Sequence, residues 1–121
     1  MIREKHRWIL FEVIGDKVTL QELLIAIRRK AYELFGTFGA AKIRFKIIEF
    51  DEEKGVGIMR INLDGLDLMR TLFLFLRKID EKKIMLNDLL VSGTINALRK
   101  KAISRRTWNQ ITEEFLDKED F

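Results

Sequence analysis

At 121 residues, 47% hydrophobic and without cysteine, the chain can bury one sizeable core and has neither a disulfide framework nor a thiolate metal site. Its charged content of 35% exceeds the usual quarter, which suits a thermophile, and no stretch approaches the ~20 apolar residues of a membrane span. Net charge is +4, but residues 113–121 hold five acids against Lys118, a balance of −4 that leaves +8 on residues 1–112. A basic body with an acidic tail suits a polyanionic partner, RNA first. The charged N-terminus, MIREKHRW, is followed by no signal-type apolar run, and the expected location is cytoplasmic.

Residues 7–14 (RWILFEVI) form a short apolar run, read as a first strand. Ile9, Phe11 and Val13 alternate with Trp8, Leu10 and Ile14, so both faces are apolar and the strand is expected at the centre of a sheet covered on both sides. Thr19-Leu20-Gln21-Glu22 is a capping box, in which the hydroxyl accepts from the Glu22 amide and the carboxylate reaches back. It opens a helix to about residue 35, with Leu20, Leu23, Leu24, Ile27, Ala31, Leu34 and Phe35 on one stripe. Gly36 suits the residue just past the helix end, and residues 36–41 read as a linker.

Residues 41–63 (AKIRFKIIEF, DEEKG, VGIMRINL) read as an antiparallel hairpin with a polar turn closed by Gly55. Period two puts Lys42, Arg44 and Lys46 on one face of its first strand, and Arg60 lies on the second strand. Asp64 is the expected cap of a second helix over residues 66–78, with Leu68, Leu72, Phe75 and Leu76 buried. Within it, Leu72-Phe73-Leu74-Phe75-Leu76 has more apolar residues than one stripe needs, so Leu72, Phe73 and Leu74 are expected to mark a protein interface. A fourth strand (84–91) and a third helix (95–104) follow, the helix carrying Ile95, Leu98, Ala102 and Ile103. Thr107-Trp108-Asn109-Gln110 is a second capping box, opening a last helix with Trp108 and Phe115.

The order β-α-β-β-α-β plus two helices predicts a single α+β domain over residues 1–121. It would be a ferredoxin-like sandwich with a four-stranded antiparallel sheet, its second face covered by the C-terminal helices at about 95–119. The segments RWILFEV (7–13), FGTFG (35–39), Phe50-Asp51, GVGIMR (55–60) and Ser92-Gly93-Thr94-Ile95 occur in suitable order and spacing. On these the chain resembles ribonuclease P protein component 2 of archaea, the counterpart of the eukaryotic Pop-five subunit. The resemblance covers about residues 7–102. It implies a non-catalytic subunit that supports the RNA removing 5′ leaders from precursor tRNA. It also implies pairing with component 3, a barrel-like subunit, and self-association of such pairs.

The residues themselves are compatible with this. A protein that reads RNA shape needs positioned Lys and Arg more than base-stacking aromatics, and the third strand lacks the paired aromatics of RNA-recognition motifs. Arg99, Lys100, Lys101, Arg105 and Arg106 are the densest basic run and the first expected RNA-binding set, with Arg44, Lys46 and Arg60 the second. His6, the single histidine, reads as a terminal residue, and the strand carboxylates Glu12, Glu49 and Asp88 have nothing that fixes them on one catalytic or metal site. No cofactor is expected. An ACT-like amino-acid-binding module at Gly15-Asp16, or a purely structural domain, is the alternative on the same topology.

Overall fold

Burial of both faces of one strand sets the architecture. In the computed structural model, which describes residues 4–105, strand β1 (His6–Gly15) is central in an antiparallel sheet. Helix α1 (Leu20–Ala41) follows, then strands β2 (Phe45–Asp51) and β3 (Val56–Asn62), a 3-10 turn (Leu63–Gly65) and helix α2 (Leu66–Phe75). Strands β4 (Lys78–Ile79) and β5 (Lys82–Ser92) and helix α3 (Ile95–Arg105) complete it. The strand order is β2-β3-β1-β5-β4. The fold is α+β, with five strands rather than four. The additional strand is the short β4, paired with Lys82 and Lys83 through a turn in which Asp80 takes φ 54°. No glycine or proline marks that turn in the sequence, and aspartate is among the few residues that tolerate this conformation.

Consecutive residues of β1 point to opposite faces. Ile9 and Phe11 join the larger core with Leu23 and Ile27 of α1 and Met69, Leu72 and Phe73 of α2. Leu10 joins a smaller core with Ile58, Leu90 and the α3 residues Leu98 and Ala102. Helix α3 therefore packs on the face away from α1 and α2. The second capping box and the last predicted helix, with Trp108 and Phe115, lie outside the described residues. Phe11 stacks on Phe50 with ring centroids 6.0 Å apart and meets Phe73 edge-on at 6.1 Å. Gly57 faces Phe11 in register, and a Cβ there would lie 2.6 Å from the ring, so the aromatic cluster requires glycine at that position.

Three element boundaries differ from the sequence reading, each for a local reason. The capping box of α1 is formed, with Thr19 Oγ1 accepting from the Glu22 amide at 3.1 Å. Gly36, at φ 69°, interrupts the helix where its C-terminus is expected, but residues 37–41 wind another turn instead of a linker. The Lys42 and Ile43 amides close that turn on the carbonyls of Gly39 and Ala40, at 3.1 Å each. Strand β2 begins only at Phe45, so Lys42 and Arg44 precede it. A bulge between Ile47 and Glu49 shifts the register within it.

Helix α2 is the third case. Its N-cap residue is Gly65 rather than Asp64, and no side chain caps it. It ends at Phe75 rather than near residue 78, because Leu76 turns to extended geometry and enters the core with Ile79. The buried stripe is Met69, Leu72, Phe73 and Leu76, the i, i+3, i+4, i+7 pattern. Two expectations are thereby corrected. Phe73 is a core residue, 2% exposed, and Phe75, 56% exposed, is not.

Candidate nucleic-acid interface

The hairpin's first cation is positioned by a buried asparagine. Asn62, 1% exposed at the end of β3, accepts the Arg44 amide on Oδ1 at 2.8 Å and donates from Nδ2 to the Lys42 carbonyl at 2.8 Å. Its own amide donates to the Arg44 carbonyl at 3.2 Å. These three bonds satisfy the otherwise orphaned backbone where the chain enters β2, and they fix where the Arg44 side chain emerges. The Arg44 guanidinium grips the Glu4 carboxylate through Nε at 3.0 Å and through Nη2. That hydrogen bond holds the Glu4 carboxyl below, and the Arg44 guanidinium above, their ordinary values. His6 Nε2 lies 3.5 Å from the other Glu4 oxygen.

Sheet register supplies the next cations. Lys46 is paired with Arg60, and Arg60 with Trp8, which is in turn paired with Ser92. One rung thus crosses four strands on the α3 side, and the Arg60 guanidinium lies 5.9 Å from the Trp8 ring centroid. A cleft of about 550 Å³ opens at this end of the sheet, lined by Glu4, His6, Arg28, Tyr32, Arg44, Lys46 and Arg60 among others. Its lining includes four permanent cations and the Glu4 carboxylate. Arg44, Lys46 and Arg60, separated by up to 16 positions in sequence, are brought together here. Arg28 and Tyr32, one helical turn apart on α1, line the same cleft, and neither was singled out in the sequence as a site residue. The signal available was the shared face of residues four apart on a helix.

The dense basic run behaves differently. Arg99 is 4% exposed, which removes it from the solvent-facing phosphate-binding set. Its neighbour along the helix, Leu98, is in the smaller core, and burial lowers the Arg99 pKa from its ordinary value. Lys100 and Lys101 are exposed, and the Lys101 ammonium reaches the Val91 carbonyl at 3.5 Å. Arg105 closes α3, and Arg106 lies outside the described residues. Of the apolar trio, Leu72 and Phe73 are core and only Leu74, 65% exposed, is at the surface, beside Phe75.

The strand carboxylates do not converge. Glu12 accepts from Asn87 at 3.3 Å on the α3 side of the sheet, and Asp88 pairs with Arg70 of α2 at 2.8 Å on the other. Among the described residues, no group of three or more His, Cys, Asp or Glu side chains could hold a metal ion, and no helix is long and apolar enough to cross a membrane.

Comparison with known proteins places the sequence and the fold in a family. Residues 7–103 match the model of the Rpp14/Pop5 family. Ribonuclease P protein component 2 of Thermococcus gammatolerans is 32% identical over 108 residues, covering 88% of this chain and 90% of that protein. The same component of Methanocaldococcus jannaschii is 30% identical over 119 residues, covering 95% and 87%. A chain in the cryo-EM structure of yeast ribonuclease MRP superposes with a TM-score of 0.66 at 10% identity, covering 88% of this chain and 94% of that one, a likeness of fold.

Proposed function

The chain belongs to the Rpp14/Pop5 family and is a protein subunit of ribonuclease P, and from that premise we propose that it holds the catalytic RNA by its phosphates through the strand-end cleft, with Arg44, Lys46 and Arg60 as the principal contacts. The observation that carries this reading is the convergence of those three side chains with Arg28 at one cleft. A folded RNA presents phosphates and 2′-hydroxyls over a broad surface, and fixed cations recognise that surface without reading bases. Lys100 and Lys101 extend the cationic surface on α3, and Arg105 and Arg106 are further candidate contacts from the sequence alone; Arg99 is excluded by burial.

The protein works in a cytoplasmic ribonucleoprotein, and the reaction belongs to the RNA, as the family resemblance implies. The order β2-β3-β1-β5 of the four long strands supports a ferredoxin-like core to which β4 adds an edge. Leu74 and Phe75, side by side and exposed at the end of α2, are the surface assigned to a protein subunit of the complex, component 3 first. Self-association remains a property of the assembled pair.

The test is a salt titration of binding to ribonuclease P RNA. Loss of three phosphate contacts in the R44A/K46A/R60A triple variant flattens the log–log salt slope by about 2 to 3. An unchanged slope with the fold intact would remove the cleft as the RNA site. An amino-acid ligand that raised the melting temperature would instead favour the ACT-like alternative.

A further inference from the structure

The strand-end cleft already contains an anion. Glu4 belongs to the segment leading into β1, and that segment is anchored: the Leu63 amide donates to the Lys5 carbonyl at 2.8 Å. From this anchor the Glu4 carboxylate is held in the fork of Arg44 and within 3.5 Å of His6 Nε2. Arg44 Nε and Nη2 converge on one oxygen of the Glu4 carboxylate, and a phosphodiester oxygen can be held in the same way, because both anions offer a charged acceptor to adjacent guanidinium N–H donors.

We infer that the cleft is a phosphodiester site whose phosphate position is occupied in the free protein by the Glu4 carboxylate, and that Arg28 of α1 completes the site's cations. This rests on the reading of the cleft as the RNA contact and adds a regulation to it. RNA enters by displacing Glu4, not by filling open space. Three features of the structure fit a displaceable occupant better than a structural bridge. The Arg44 main chain is fixed by Asn62 independently of Glu4, so the point from which the Arg44 side chain emerges keeps its place when the carboxylate leaves. The Arg44–Glu4 pair is solvent-accessible, with side-chain exposures of 55% and 39%, so the exchange needs no opening of the core. The remaining cations, Arg28, Lys46 and Arg60, retain an excess of positive charge that Glu4 does not neutralise. The internal anion competes with weak, non-specific phosphates and yields to an RNA that engages all the cations at once.

Glu4→Gln keeps the side chain's shape and removes its charge. In the full-length protein titrated with ribonuclease P RNA transcribed in vitro, E4Q is expected to bind about two- to fivefold more tightly at low salt, the range of one exposed ion pair converted to affinity. The gain should shrink as salt rises. R28A is expected to weaken binding and to flatten the log–log salt slope by about 0.7 to 0.9, one phosphate contact. Glu4→Ala serves as the second variant, and circular dichroism confirms that each protein is folded. If E4Q and E4A bind as the unaltered chain does or more weakly, while R44A/K46A/R60A loses affinity, Glu4 is a structural bridge and the inference is overturned with the RNA site intact. If the triple variant also binds normally, the cleft is not the RNA contact and both readings fall.

Discussion

Helices α2 and α3 each carry a run of uniform chemistry, and the fold splits both runs in the same way. At the end of α2, five consecutive apolar residues divide into Leu72, Phe73 and the following Leu76 inside and Leu74 and Phe75 outside. In α3 three consecutive cations divide into Arg99 inside and Lys100 and Lys101 outside. Successive helical residues are about 100° apart, so a run longer than two must spread around the axis. The consequences differ with the chemistry. An apolar side chain turned outward costs little and leaves a sticky surface. A cation turned inward loses hydration, a cost that burial of its aliphatic stem partly offsets. Uniformity along the chain is therefore no guide to a uniform surface; the distributed residues 28, 44, 46 and 60 make a denser cationic cleft than the basic run does.

The largest test of this contrast is Phe73→Ala, expected to cost about 3–5 kcal/mol in urea unfolding because it empties a fully packed aromatic position against Phe11. A loss as small as a surface substitution would mean that the α2 stripe is rotated from that described. Arg99→Ala comes next, at about 1–3 kcal/mol, from lost packing of the stem. It should leave the salt slope of RNA binding unmoved. A flattened slope with unaltered stability would return Arg99 to the phosphate-binding surface. The K100A/K101A double variant is expected to do the opposite: melting within a degree or two of the parent, and a slope flatter by about 1.4 to 1.8 for two lost contacts. Smallest in stability is Leu74→Glu, expected within about 0.5 kcal/mol of the parent. Its effect should appear in pull-down of component 3, and undiminished capture would detach the α2 patch from that partner.

Much of the fold was legible because its determinants are local or periodic. The central position of β1 followed from apolar residues on both faces of one short run. The start of α1 followed from Thr19 and Glu22, whose reciprocal bonds span three residues, whereas Gly36, read as its end, only interrupts it. Strand β4 was not legible, since its turn through Asp80 carries no glycine and its pairing is two residues long. The α2 stripe was misplaced because Leu68, Met69, Leu72, Phe73, Phe75 and Leu76 support two registers that hydrophobicity cannot separate. In the candidate site, the cationic types and the hairpin that carries Lys46 and Arg60 were evident. Asn62 was not singled out, because its value lies in three hydrogen bonds to backbone 18 or more residues away.

By itself the sequence determined the α+β class, the element order up to α2, the central strand and the basic character of the body, together with family resemblance on the motifs at residues 7–13, 35–39, 55–60 and 92–95. These rest on side-chain period, capping chemistry and composition, which act within a turn or a strand. Only the tertiary structure decided which cations share a surface, which phenylalanine of α2 is core, and that Glu4 sits in the fork of Arg44. Those outcomes depend on strand register and on the rotation of each helix against the sheet, and both are fixed by packing between residues far apart in the chain.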